Sequence, residues 1–116
     1  MVMPMALIQK PIEKSELSEI AKECFGDLVK AVVDIERGIM AIGAELHSDE
    51  EAFLLEEGSK QKNLWGINLY PEKSGEELIE FDSMINLRPS QGNRSRDVLD
   101  PEARKRIKEI INQLVK

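Results

Sequence analysis

Between Leu28 and Leu46 the chain runs through two stretches dense in β-branched and small apolar residues, Leu28 to Ile35 and Ile39 to Leu46, parted only by Glu36-Arg37-Gly38. Valine and isoleucine suit the pleated surface of a strand, and a short polar break with a glycine reverses the chain. The pair reads as a hairpin whose strands are both largely buried, which commits the chain to a sheet. At 116 residues there is room for one such core and none for a second independently folded unit. With 41% hydrophobic residues the chain has the material for a packed interior and too much of it for disorder.

The segments around the hairpin carry their own signals. Ser15 stands as the cap of a helix whose Leu17, Ile20, Ala21 and Cys24 fall on one face, with Gly26 placed to end it in a left-handed turn. Ser48 and Glu51 have the spacing of a capping box, Asp49 and Glu50 suit a first helical turn, and Gly58 marks the stop, so a helix is expected over 48–57. Trp65, Ile67 and Leu69 alternate with Gly66, Asn68 and Tyr70 until Pro71, as in a third strand. From Leu78 onward one parity carries Ile79, Phe81, Ser83, Ile85 and Leu87, which predicts one long strand with a bulge near Asp82-Ser83. Asp100-Pro101 opens a last helix with apolar residues at 103, 107, 110, 111, 114 and 115.

The expected class is therefore α+β, in the order α-ββ-α-ββ-α. It has a mostly antiparallel four-stranded sheet covered on one face by helices, and residues 6–9 offer a short N-terminal edge strand. Residues 5–116 read as a single domain, and residues 1–4 as an extension expected to be mobile.

Three stretches carry a resemblance: Asp34-Ile-Glu-Arg-Gly-Ile-Met-Ala-Ile-Gly-Ala-Glu-Leu-His47, Leu64-Trp-Gly-Ile-Asn-Leu-Tyr-Pro71, and Ile79-Glu-Phe-Asp-Ser-Met-Ile-Asn-Leu-Arg-Pro-Ser-Gln-Gly-Asn-Arg-Ser-Arg96. Together they resemble a family of small prokaryotic proteins catalogued only as a domain of unknown function. The likeness covers most of the chain after about Ala6 and is most distinctive at its Arg-Pro-Ser-Gln-Gly-Asn-Arg-Ser-Arg end. It implies that 5–116 forms one complete domain, and it lends no activity and no catalytic residue.

Composition narrows the function classes. Lys30, Asp34 and Arg37 interrupt the apolar runs well short of the roughly 20 residues that span a bilayer, so no membrane span is expected. The first residues lack the basic start of a signal peptide, and Cys24 is the only cysteine, which excludes an internal disulfide and suits a reducing, cytoplasmic setting. Net charge is −6 and uneven: residues 1–87 hold 8 basic and 18 acidic side chains, residues 88–116 hold 8 and 4. An acidic body repels phosphate at long range, which argues against non-specific nucleic-acid binding and for a small, locally held anion. Any subunit contact is expected to be a two-fold homodimer on symmetry grounds alone, and no sequence feature identifies the patch.

The basic end contains the most unusual stretch. Arg88, Arg94 and Arg96 bring guanidinium groups, Ser90 and Ser95 hydroxyls, Gln91 and Asn93 amides, and Gly92 a flexible backbone, a set suited to a phosphate, nucleotide or carboxylate ligand. These eight residues are the expected ligand site of a small anion-binding module. The alternative use of the same loop is structural, with the arginines paired to acidic neighbours. A second candidate is Glu45 with His47, which share one side if the strand continues through them; with Asp49 or Glu50 from the next turn they are the candidate metal set, and no metal or cofactor is expected from so few ligands. Asp82 beside the loop adds a carboxylate for acid–base work, so an enzyme acting on an anionic substrate through Glu45, His47 or Asp82 is the alternative reading, and a protein-interaction or structural subunit is the third.

Overall fold

The hairpin forms where the apolar runs place it. β2 (Val29–Asp34) and β3 (Ile39–Ile42) pair antiparallel with Asp34 opposite Ile39. Asp34 builds the turn: its Oδ1 accepts the backbone N–H groups of Glu36 (2.9 Å) and Arg37 (3.0 Å), while Gly38 supplies the left-handed φ of 69° that closes it. Its other oxygen accepts the Ser59 hydroxyl at 2.6 Å, so a carboxylate with 1% exposure has its lone pairs engaged.

In this computed structural model, which describes residues 5–116, the hairpin is the centre of a five-stranded antiparallel sheet. β1 (Ala6–Ile8) lies against β3, β4 (Leu64–Leu69) against β2, and β5 (Ile79–Glu80) against β4, giving the spatial order β1-β3-β2-β4-β5. The sheet has five strands rather than four because the N-terminal segment pairs along the free edge of β3, with Ala6 opposite Ile42 and Ile8 opposite Met40. The chain order is thus β-α-ββ-α-ββ-α. The extension assigned to residues 1–4 lies outside the described residues.

Three helices cover the sheet, and they do so on both faces. Ala31, Val33, Met40, Ile67 and Leu69 pack with Leu17 and Ala21 of α1 (Lys14–Cys24) and with Ile107, Ile110 and Ile111 of α3 (Pro101–Leu114). On the opposite face Val32, Ala41 and Leu64 pack with Leu54 and Phe53 of α2 (His47–Glu56). One covered face is therefore corrected to two. The physical reason is visible in β2 and β3, whose apolar residues occupy both parities, so neither side can face water. Each large aliphatic side chain so buried contributes about 1.5–3 kcal/mol.

Helix starts are only partly set by the expected caps. α3 follows expectation: Asp100 Oδ1 accepts the Glu102 N–H at 3.0 Å, and Pro101 takes the first helical position. α1 begins at Lys14, with Ser15 inside the helix, and α2 begins at His47, with Ser48 inside it and no side-chain cap at Leu46. The capping box is replaced by Glu50, whose Oε2 reaches back to the N–H of Ala44 at 3.0 Å.

The long strand expected after Leu78 is the main departure. Only Ile79 and Glu80 pair as β5, opposite Leu69 and Asn68. Continued register would bring Asp82 to Gly66 and Met84 to Leu64. Instead the chain turns through a short 3-10 segment, Met84–Asn86, capped by the Ser83 hydroxyl on Ile85 N–H, and Asn86 and Arg88 arrive at those places four residues later. The switch shows in the packing, since Ile79 and Phe81 join the α1 and α3 side while Ile85 joins the α2 side.

Gly66 allows this close passage. A Cβ there would stand 2.6 Å from both Cβ and Oγ of Ser83 and 3.1 Å from Ile85. Gly66→Ala is expected to lower stability by about 1–3 kcal/mol or more through overpacking, read by urea denaturation. A midpoint equal to that of the wild type would show that Ser83 does not press on β4.

Candidate functional site

The segment after β5 is built from the edge of β4 outward. The Asn86 side chain behaves as a strand would: Oδ1 accepts the Gly66 N–H at 2.8 Å and Nδ2 donates to the Gly66 carbonyl at 2.9 Å. One step along the edge, the Leu64 carbonyl accepts Nη2 of Arg88, and Nη1 donates to the Gln61 carbonyl at 2.5 Å. The Arg88 guanidinium also lies over the Trp65 ring, 4.1 Å from its centroid. Burial lowers the Arg88 pKa and Glu51 opposes that shift.

The remaining loop residues mostly hold the loop itself. Asn93 donates through Nδ2 to the carbonyls of Asn86 (2.7 Å) and Asp97 (2.7 Å) and accepts the Leu99 N–H at 2.9 Å. Gly92 takes the left-handed conformation that ends a short 3-10 segment over Pro89–Gln91, and the Ser95 hydroxyl accepts the Asp97 N–H at 3.0 Å. Gln91 donates to the Lys62 carbonyl at 3.4 Å and Ser90 is exposed.

The three expected guanidinium groups therefore do not converge. Arg88 is committed to backbone carbonyls, and Arg96 donates through Nε to Asp82 Oδ1 at 2.6 Å. Arg94 is exposed, with no hydrogen bond or ion pair among the described residues.

What gathers instead is a polar group on the α2 face of the sheet. Lys30, Asn68 and Glu80 are successive cross-strand neighbours on β2, β4 and β5. Asn68 donates to Glu80 Oε1 at 2.8 Å, and the Tyr70 hydroxyl donates to the same oxygen at 3.1 Å. α2 sets its first turn over this row. His47, its first residue, places Nε2 2.8 Å from the Ile67 carbonyl. A carbonyl can only accept, so Nε2 carries the proton and Nδ1 is the unprotonated nitrogen, with no hydrogen bond among the described residues. Lys30, Asp82 and Arg96 all lie close enough to act on its charge.

Acidities in this group are shifted together. Burial lowers the His47 pKa, aided by Lys30 and Arg96 and opposed by the Ile67 bond and Asp82, so the ring is neutral at neutral pH. Burial raises Glu50 to about 9 against the opposing pull of the Ala44 N–H and of Lys30, so its carboxyl holds a proton at neutral pH. Oε1 of Glu50, which has 0% exposure, and Oδ1 of Asn68, with 7%, are buried without a hydrogen-bond partner among the described residues. Burial and the Glu80 bond raise Tyr70, and burial with Glu23, Glu45 and Glu50 raises Cys24, which keeps that thiol protonated.

Of the residues singled out in the sequence, Asp82 and Arg96 form an ion pair within electrostatic reach of His47. Glu45 and Asp49 are exposed, and His47 starts a helix instead of continuing β3, so Glu45 and His47 are not strand neighbours with a shared side. Among the described residues no group of three or more His, Cys, Asp or Glu side chains gathers for a metal. Lys30 and Asn68 are not among the residues singled out in the sequence. Lys30 had a signal, a single charge inside an otherwise apolar strand, whereas Glu50, expected in the first helical turn and as a possible metal ligand, instead buries its carboxyl and bonds the Ala44 N–H.

A family model described as "Protein of unknown function (DUF5674)" matches residues 6–114. No curated protein and no solved structure matches the chain. Among the described residues no helix is long and apolar enough to cross a membrane.

Glu50 gives a pH test. Between its ordinary value of 4.5 and about 9 the folded chain holds a proton that the unfolded chain has lost, so this group's contribution to stability is greatest below 4.5 and falls as pH rises. Glu50→Gln keeps a carbonyl for Ala44 and never ionises, and it is expected to stabilise the fold by about 1–3 kcal/mol near neutral pH, with the gain vanishing in acid. Paired denaturation curves at the two pH values check this, and a gain independent of pH would contradict a buried, protonated Glu50.

Proposed function

The chain belongs to this family of unknown function, and from that premise we propose that it binds a small anionic ligand on the α2 face and exchanges a proton with it through His47. One observation carries the reading: the imidazole is neutral, its Nε2–H is committed to the Ile67 carbonyl, and its Nδ1 has no hydrogen bond among the described residues, with the charges of Lys30, Asp82 and Arg96 within electrostatic reach of the ring. A neutral imidazole held in one tautomer is a ready proton acceptor, and the carbonyl that fixes the tautomer also fixes the ring's direction.

The charges around it suit an anion. Lys30 supplies an ammonium that lies 5.1 Å from the Phe25 ring centroid and has no ion pair among the described residues, and Arg96 supplies a guanidinium whose partner Asp82 leaves part of its donor fork unspent. Groups of shifted acidity meet on this face, with His47 and Glu50 in the first turn of α2 and Tyr70 bonded to Glu80, a pattern that accords with chemistry. The reading keeps the expected small anionic ligand and one arginine of the loop, and moves the centre of the site from the loop to α2. A cytoplasmic setting, in which the lone Cys24 stays reduced, accords with it.

His47 is the single histidine, so its ring signals are resolved by NMR without assignment of others. Titrating inorganic phosphate near pH 7 is expected to move those signals saturably, with Lys30→Gln weakening the response about tenfold. Ring signals unmoved by phosphate up to roughly 10 mM in folded protein would refute the proposal.

A further inference from the structure

Gln91, Gly92 and Asn93 of the 88–96 loop border a cavity that holds none of the His47 group. This cavity of about 400 Å³ opens between that loop, the start of β4 and the first turn of α3, a volume within the range of small-molecule sites. Its wall carries one cation, Lys62, and one anion, Asp100, and no ion pair joins them or engages either elsewhere among the described residues. Asp100 spends Oδ1 on capping α3, and its other oxygen has no hydrogen bond among the described residues. Aliphatic wall comes from Ile35, Ala103 and Leu99, the last 52% exposed although large and apolar. Trp65 completes the wall, and its indole N–H is buried with no acceptor among the described residues.

Two unpaired charges of opposite sign on an aliphatic wall complement a molecule that carries both charges and an apolar tail. The geometry points to a binding site for a free aliphatic α-amino acid, its carboxylate towards Lys62, its ammonium towards Asp100 and its side chain over Leu99 and Ala103. A guest oxygen that reaches the Trp65 N–H satisfies a donor the fold leaves without a partner. This site shares no residue with the His47 group, so neither reading depends on the other.

Trp65 is the only tryptophan, which makes its fluorescence a direct report on the cavity. Titrating the whole protein with L-leucine is expected to change the emission saturably. 4-Methylpentanoate and isoamylamine, which each lack one charge, and glycine, which lacks the tail, bind at least about tenfold more weakly. Lys62→Gln and Asp100→Asn each weaken leucine binding by about tenfold, the latter retaining a side chain able to cap α3. Equal responses to leucine and 4-methylpentanoate would overturn the assignment to a zwitterion. An emission that does not respond to leucine up to roughly 10 mM in folded wild-type protein would overturn the site itself.

Discussion

The outer edge of β4 carries a row of backbone groups that must find partners, and the way they do so organises half of the molecule. Asn68 meets the backbone of β5, Gly66 meets the carboxamide of Asn86, and the Leu64 carbonyl meets the guanidinium of Arg88. Three successive outward-facing positions of one strand are thus satisfied by three different chemistries: a strand, an amide side chain and a cation. An unpaired backbone group at such a buried edge costs about 1–3 kcal/mol, so the substitution of side chains for a strand is energetically necessary once the chain leaves the sheet at Asp82. It also blunts an edge that would otherwise be open to another chain.

That exchange places the functional groups. Asp82 shares the parity of Glu80 and so the α2 face, and because the chain leaves β5 early and returns through Asn86, Arg96 is brought to pair with it, within electrostatic reach of His47. Nδ2 of Asn86 also donates to the Arg96 carbonyl at 2.9 Å, and the Ser83 N–H donates to the same oxygen at 3.1 Å, so the backbone of Arg96 is held directly by the lock. On the other side, Arg88 and Asn93 brace the loop whose residues border the cavity near Trp65. The arginines that look like ligand-binding groups in the sequence act in large part as internal supports, and the binding chemistry falls to neighbours they position.

Local rules made some of this legible. The β2–β3 hairpin follows from its apolar runs and its Asp34–Gly38 turn, and α3 follows from the Asp100-Pro101 start and a sustained helical spacing. The break in the fourth predicted strand could not be read that way, because the alternation from Ile79 to Leu87 is sound as a strand pattern; what defeats it is the crowding of Gly66 by Ser83 and a side-chain amide that does the work of a backbone. Covering both faces of the sheet was implicit in β2, where only Lys30 interrupts a run buried on both parities, yet helix positions had to be known before the consequence was visible. For the site, His47, Asp82 and Arg96 stood out by residue type alone. Glu50 stood out only as a first-turn acid and a possible metal ligand, since the burial of its carboxyl under a helix start is something spacing cannot reveal.

The central claim is that Asn86 stands in for a strand at Gly66. Native-state hydrogen exchange at the Gly66 amide measures this directly, because that N–H has a side-chain acceptor and no ladder partner. The account predicts protection comparable to that of the interior amides of β2, and its loss in Asn86→Ala at positions whose neighbours remain protected. Exchange of the wild-type Gly66 amide at the rate of an open strand edge would contradict it.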